Sequence, residues 1–290
     1  MSEASLENSH TSVPEADTAA VHGEVKHESP LYAEPIFELG HFTATNSWLN
    51  SLLVVVIVVI FGLSLKGRIK MVPKGFQNLL EMAIESLLDL FDNVTNSRQK
   101  SLRFAPLVLS FFFFILLNNW LGLLPGVGTI GKIVLEHGEA VFVPFFRGGT
   151  ADLNTTLALA LIGIFMTHVF GVTTLGFWHH FNKFVNLQAF IDIPRKIIKD
   201  PTIILTNPIK AFVGLIEIIG EAAKVASLSF RLFGNIFAGE LLLVSMSAIM
   251  AFGAPIPFMF LEIIVGLIQA FIFSILILTY LSINTSAEGH

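Results

Sequence analysis

A single arginine lies inside a long apolar run of the chain, in the stretch SLSFRLFGNIFAGE at residues 227–240. Arginine keeps its proton throughout the pH range of proteins, so Arg231 cannot lose its charge to suit apolar surroundings. A cation at the centre of a membrane costs about 3 kcal/mol on insertion scales. Such a group normally faces a water-filled path or an acidic partner. If the run crosses a membrane, Arg231 is therefore expected in one of these two surroundings.

Polar residues recur around Arg231 at intervals of three and four, which places them on one stripe of a helix. The stripe consists of Glu217, Glu221, Lys224, Leu228, Arg231 and Asn235. No acid lies within one helical turn of Arg231, so its counter-charge is expected on another helix or another protein. Near the cytoplasmic interface, Glu217, Glu221 and Lys224 have the spacing of an ion-pair cluster. For Glu221 and Lys224, a structural pair and a role in ion movement both remain open.

Glu240 follows Arg231 by nine residues, which amounts to about 900° of helical rotation, or half a turn beyond two full turns. Glu240 is therefore expected on the side of the helix opposite Arg231. Beyond the next turn, Glu262 and Gln269 are seven residues apart and share a face. These positions would allow two separate polar paths on different sides of a helical hairpin.

Composition identifies the protein class that must hold these groups. The 290 residues are 53% hydrophobic and only 13% charged, whereas soluble domains carry about 25% charged residues. The chain is therefore predicted to be an integral membrane protein. It has no cysteine, which excludes disulfides and thiolate metal sites. His10, His22, His27 and His41 fit no metal-binding spacing, and neither a metal nor a cofactor is expected.

Five apolar blocks are long enough to be membrane-embedded helices, which need about 20 residues. They cover 47–65, 104–124, 153–178, 208–251 and 256–284. Between the first two, residues 73–96 have the period of an amphipathic helix lying at the membrane surface. As one helix, 208–251 would extend about 66 Å, twice the membrane thickness, so 208–284 is predicted to form a strongly tilted hairpin with its turn at APIP, 254–257. The fold class is an all-α integral membrane protein.

Basic residues determine the expected orientation, because they concentrate in cytoplasmic loops. Twelve of them lie in two regions: Lys66, Arg68, Lys70, Lys74, Arg98, Lys100, Arg103, Lys183, Arg195, Lys196, Lys199 and Lys210. The predicted organisation is a polar, acidic N-terminal tail outside (1–46), one membrane domain (47–284) and a short cytoplasmic tail (285–290). The N-terminus has no basic and apolar signal-peptide pattern.

Several strings resemble one known family. RLFGNIFAGELLL, with IEIIGEAAKVASLS before it and LIQAFIFSILILTYLS after the turn, closely resembles subunit a of F-type ATP synthases, as does NNWLGLLPG at 118–126. The resemblance covers about residues 45–284. It implies a stator subunit of the bacterial inner membrane that couples proton flow through two half-channels to rotation of a c-subunit ring and to ATP synthesis. The implied partners are the c-ring carboxylates, the peripheral stalk b subunits, the remaining ATP synthase subunits and membrane lipid, without nucleic acid.

The resemblance also implies roles for individual residues. Arg231 would be the essential arginine facing the ring, with Asn235 on the same face and Gln269 across the hairpin. The outer half-channel would contain Glu240, Glu262 and Asn119, and the cytoplasmic one would contain Glu217, with Ser227 between. Many relatives carry one histidine and one glutamate where this chain has Glu240 and Glu262. Two nearby carboxylates would not both ionise easily, which suggests a proton relay.

Alternatives remain at this stage. A sodium-coupled version of the same subunit is one, since ion selectivity lies mainly in the ring. A secondary ion-coupled transporter is another, although such folds often contain internal repeats and none is seen here. A purely structural membrane anchor would leave the buried charges unexplained. His168 could border a half-channel or bond to a neighbouring helix, and His179 and His180 are expected to be solvated. No Gly-x-x-x-x-Gly-Lys loop is present, so the chain is not expected to hydrolyse ATP.

Overall fold

The chain forms a bundle of long helices. A computed structural model describes residues 33–39, 42–65, 74–124, 126–136, 139–178, 203–250 and 253–286. In these ranges lie six long helices: α1 (Asn46–Leu65), α2 (Phe76–Thr95), α3 (Arg98–Gly122), α4 (Leu153–Leu175), α5 (Ile203–Ile249) and α6 (Pro255–Thr285). All except α2 include a segment long and apolar enough to cross a membrane. The predicted all-α membrane fold class is confirmed.

The surface helix α2 is amphipathic, as its period predicts. It buries Leu88 and Phe91 and leaves Phe76 and Met82 exposed. A left-handed residue, Asn96 at φ 52°, ends the helix and turns the chain into α3.

Charged and hydroxyl side chains hold the α2–α3 junction. Arg98 Nη1 donates to Asp92 Oδ2 at 2.9 Å and to Asp89 Oδ1 at 3.2 Å. The Ser101 hydroxyl and the Arg98 guanidinium hold the pKa of the Asp92 carboxyl below its usual value. Because these charged residues begin the helix, α3 starts six residues before the predicted apolar block at 104.

The core lies where α3, α4 and α6 meet. Val108 and Ile115 of α3 and Ile277 of α6 are fully buried there. Gly163 of α4 allows the close approach, because a Cβ at this position would come within 2.6 Å of the Ile277 Cδ1 atom. The packing of these helices forms the support against which α5, the other arm of the hairpin, is positioned.

The last two helices form the predicted long hairpin. Helix α5 has 47 residues and would measure about 70 Å at the usual rise of an α-helix. The chain reverses between Ile249, which ends α5, and Pro255, which begins α6, and Gly253 adopts the left-handed φ of 98°. The prediction that APIP itself forms the turn is wrong: Pro255 begins α6, because its fixed φ and missing N–H suit a first helical turn.

Two short antiparallel β-hairpins, which the sequence reasoning did not predict, accompany the helices. One consists of β1 (Pro35–Leu39) and β2 (Phe42–Thr45), and the other of β3 (Gly131–Glu136) and β4 (Glu139–Pro144). Lys132 Nζ donates to the Ile36 carbonyl at 2.6 Å and joins the two hairpins. Part of the predicted polar tail is thus folded onto the domain. Residues 1–32, 66–73 and 179–202 lie outside the described residues; they contain His179, His180 and seven of the predicted cytoplasmic bases.

Candidate functional site

A cavity of about 230 Å³ lies beside the α5–α6 hairpin, near the end where the hairpin turns. Segments distant in sequence supply its walls, including α3, α5, α6 and the loop after β4. Among the described residues, its polar lining includes Glu34, Asn119, Arg147, Glu240 and Glu262. A space of this size can hold several water molecules. Three of the residues predicted for an outer path, Asn119, Glu240 and Glu262, are therefore brought together.

Glu240 forms an ion pair with Arg147, a residue that sequence reasoning did not single out. Arg147 Nε donates to Glu240 Oε1 at 2.9 Å and to Oε2 at 3.0 Å. Arg147 is only 5% exposed, and its guanidinium also lies 5.9 Å from the centre of the Phe237 ring. The available signal was a lone arginine between FF and GG just before a membrane span, a context that suits burial.

The Glu262 carboxylate lies directly against the backbone of α5. A Cβ added at Gly239 would collide with both carboxylate oxygens and with the carboxyl carbon of Glu262. Glu262 is 7% exposed, and its Oε1 atom has no hydrogen-bond partner among the described residues. A glycine at 239 therefore makes room for a buried carboxylate that faces the cavity.

Asn119 connects three parts of the cavity wall. Its Nδ2 donates to the Gly266 carbonyl of α6 at 3.0 Å, and its Oδ1 accepts a hydrogen bond from the Thr150 hydroxyl. The next residue, Trp120, donates from Nε1 to the Ile263 carbonyl at 3.1 Å. The NNW segment thus fixes α3 to α6 at the level of Glu262.

Asn118 makes the corresponding connection to α1. Its Oδ1 accepts from Asn50 Nδ2 at 3.2 Å and from the Ser51 hydroxyl at 3.3 Å. A side chain at Gly149 would collide with this group, so the loop preceding α4 can approach only as glycine. The two consecutive asparagines therefore join α3 to two different helices, Asn118 to α1 and Asn119 to α6.

Arg231 lies on the exposed face of α5, away from the core. Its Nη2 donates to the Ser227 hydroxyl at 3.3 Å, and it forms no ion pair within the described part of the chain. Asn235 is exposed as well, whereas Leu228, which the spacing puts on the same stripe, is buried together with Leu232. Since Glu240 turns toward Arg147, the two charges occupy different sides of α5, as their spacing predicts.

Toward the other end of α5, a second polar cluster includes the predicted Glu221–Lys224 pair. Lys224 Nζ lies 2.7 Å from Glu221 Oε1 and 5.0 Å from the centre of the Tyr280 ring. His168 of α4 places its Nε2 atom 3.5 Å from Glu221 Oε2. The ion pair is confirmed, and His168 contacts a neighbouring helix.

Two further predicted residues lie on the two helices of the hairpin. Glu217 is half-buried one turn before Glu221. Gln269 is buried on α6 and forms no hydrogen bond with Arg231 in the described structure. Within the described ranges, no three His, Asp or Glu side chains are grouped so as to hold a metal ion.

Comparison with known proteins agrees with this arrangement of long helices. A family model described as ATP synthase A chain matches residues 48–282. The curated ATP synthase subunit a of Syntrophobacter fumaroxidans is 37% identical over 230 residues, covering 78% of this chain and 79% of the relative. The subunit a of Campylobacter jejuni subsp. doylei is 32% identical over 242 residues, covering 82% and 89%. That of Geobacter sulfurreducens is 31% identical over 255 residues, covering 88% and 92%. The chain therefore belongs to the ATP synthase subunit a family and is a multi-pass protein of the inner membrane.

Proposed function

We propose that the chain is the stator subunit that conducts protons to and from a rotating c-subunit ring and so couples proton flow to ATP synthesis. The observation that carries this proposal is the separation of charges on α5. Arg231 lies on an exposed face without an acidic partner in the described chain, while Glu240 lies in a polar cavity on another side. The chain itself does not catalyse ATP formation; it supplies the proton path.

The outer half of the path runs through the cavity lined by Asn119, Glu240 and Glu262. Water in this cavity can carry protons toward α5, and buried carboxylates can exchange them. Arg147 pairs with Glu240 and keeps a carboxylate stable in this position. The Oε1 atom of Glu262 has no hydrogen-bond partner among the described residues, which makes Glu262 the better candidate for proton exchange with cavity water.

The ring meets the exposed face that carries Ser227, Arg231 and Asn235. A carboxylate on each c subunit is the counter-charge that Arg231 lacks. A protonated carboxylate can move into lipid because the neutral form has a small desolvation cost. Arg231 favours the ionised form when the carboxylate returns, and since it cannot release its own proton it blocks leakage between the two paths.

The inner half of the path lies near Glu217 and the Glu221–Lys224 pair. The basic residues of the predicted loops put this end on the cytoplasmic side, with the N-terminus outside and the C-terminus in the cytoplasm. The c-ring and the peripheral stalk b subunits are the expected partners within the complex. A proton released opposite Arg231 would leave through this region.

The test is an Arg231→Ala variant in the assembled complex, with Ser245→Ala as control. Ser245 is exposed on the same helix and donates only to the Leu241 carbonyl of its own helix. Arg231→Ala is expected to abolish ATP-driven proton pumping in inverted membrane vesicles, whereas Ser245→Ala pumps normally. Retained pumping without Arg231 would refute the gating role. Purification of the chain without a c-ring would favour a transporter instead.

A further inference from the structure

The cavity is lined by one residue that comes from before the first membrane helix. Glu34 precedes β1 and lies outside residues 48–282, which the family model matches. It is only 8% exposed, although carboxylates in a polar tail are ordinarily solvated. The same cavity contains Arg147, Glu240 and Glu262. The tail therefore contributes a buried acid to a site otherwise made by the membrane domain.

Specific contacts hold Glu34 in this position. Asn46, the first residue of α1, donates from Nδ2 to Glu34 Oε2 at 3.3 Å and from its backbone N–H to the Glu34 carbonyl at 3.1 Å. The β1–β2 hairpin joins these two residues across 12 positions of sequence. Lys132 fastens the hairpin to β3 through the Ile36 carbonyl. The segment is thus bound to the domain at both of its sides.

The charged residues that line the cavity favour the entry of a cation. The charged part of its described lining comprises three carboxylates, from Glu34, Glu240 and Glu262, and one guanidinium, from Arg147. Arg147 binds both oxygens of Glu240. Glu262 is more than nine-tenths buried, and its Oε1 lacks a hydrogen-bond partner among the described residues. A cavity with excess negative charge concentrates protons from solution.

We propose that Glu34 is a further proton-carrying residue of the outer path. Its carboxylate takes a proton from the outer solution and passes it to cavity water, and that water protonates the Glu262 carboxylate. Glu34 then returns to its ionised form, so only the proton moves. The inference rests on the proposed function, and it assigns to the N-terminal segment a part in proton uptake.

The experiment compares Glu34→Gln with the parent in vesicles that make ATP from an imposed pH gradient. Glutamine keeps the shape and an oxygen that can accept from Asn46, but it cannot carry the proton. At neutral pH on the side of the membrane where the outer path opens, the rate of ATP synthesis is expected to be about tenfold lower than in the parent. A factor of this size lies in the range by which charged clefts alter association rates. The rate should recover as the outer pH is lowered, and Glu34→Asp should retain most of the parental rate. Glu7→Gln is the control for loss of one negative charge from the tail.

Two results would overturn the inference. One is a rate of ATP synthesis by Glu34→Gln that depends on the outer pH in the same way as the rates of the parent and of Glu7→Gln. The other is a uniform loss at every pH together with less complex in the membrane, which would mean a structural role. Arg231→Ala in the same vesicles separates the two proposals: if it abolishes synthesis while Glu34→Gln has no effect, only the role of Glu34 fails. Normal synthesis by Arg231→Ala would instead refute the proposed function.

Discussion

Gly239 provides a direct test of whether the Glu262 carboxylate must lie against α5. In a Gly239→Ala variant the new Cβ would occupy the space of that carboxylate, which has to move by roughly 1 Å or more to reach ordinary contact distance. Alanine in place of a helical glycine stabilises a helix by about 1 kcal/mol. Moving a side chain off its rotamer costs about 0.5–1.5 kcal/mol. The two effects nearly balance, so the protein is expected to fold and assemble.

The effect on proton movement should be much larger than the effect on stability. A misplacement of about 1 Å in a reacting group can reduce a rate by about 100-fold. ATP-driven proton pumping by inverted vesicles, followed with a pH-sensitive dye and normalised to the amount of complex, measures this loss. Gly62→Ala is the matched control, because a Cβ there has no neighbour within 4 Å.

A second variant identifies the cause of the loss. Combining Gly239→Ala with Glu262→Asp shortens the acid by one methylene and should restore part of the pumping, since the carboxylate then has room beside the new methyl group. Pumping by Gly239→Ala equal to that of Gly62→Ala would refute the reasoning. So would a combined variant that is no better than Gly239→Ala alone.

Two other predictions concern ion pairs. Arg147→Met should destabilise the domain by about 3 kcal/mol, the lower end for a broken buried pair because a quarter of the Glu240 side chain is exposed. The measurement is the fraction of complex that stays intact after heating in detergent. This fraction should be higher for Arg147→Met combined with Glu240→Gln than for Arg147→Met alone, and an equal fraction would argue against the pair. The lowered pKa of Asp92 means that its interactions with the Ser101 hydroxyl and the Arg98 guanidinium contribute to stability above the unfolded pKa of about 3.9. That contribution is lost as the pH falls through the folded pKa. Hydrogen exchange at the α2–α3 junction should therefore be protected equally at pH 5 and pH 8, and Asp92→Asn should raise exchange about two- to fivefold. Glu85→Gln, an exposed change on the same helix, should leave exchange unaltered; equal effects would exclude a specific contact.

The positions of the helices follow closely from local sequence. An apolar length or a helical period belongs to one continuous segment, so α1, α2 and α4 begin within three residues of their predicted starts. Helix α3 begins earlier because its first turn is charged and pairs with α2, which a search for apolar residues does not detect. The β-hairpins were missed because short strands depend on pairing with a partner rather than on a long local pattern.

The site, like the fold, could be predicted from the sequence only where its residues are close together in the chain. Helix geometry alone separated Arg231 from Glu240 and left Arg231 without a local acid, because nine residues of an α-helix always rotate by the same angle. Arg147 reaches Glu240 across 93 positions of sequence, and Glu34 reaches the cavity through a hairpin. The burial of Arg147 and Glu34 cannot be predicted from their residue types, since acids and arginines are ordinarily exposed.

The sequence by itself therefore determined the membrane class, the order of helices and the faces of α5 on which its charges lie, because each depends on contiguous residues. Only the tertiary structure decided which charges meet. It placed Arg147 on Glu240, the Glu262 carboxylate on Gly239 and Glu34 in the same cavity. These contacts depend on how closely separate segments approach, and a glycine at one position of α5 permits what any larger side chain would prevent.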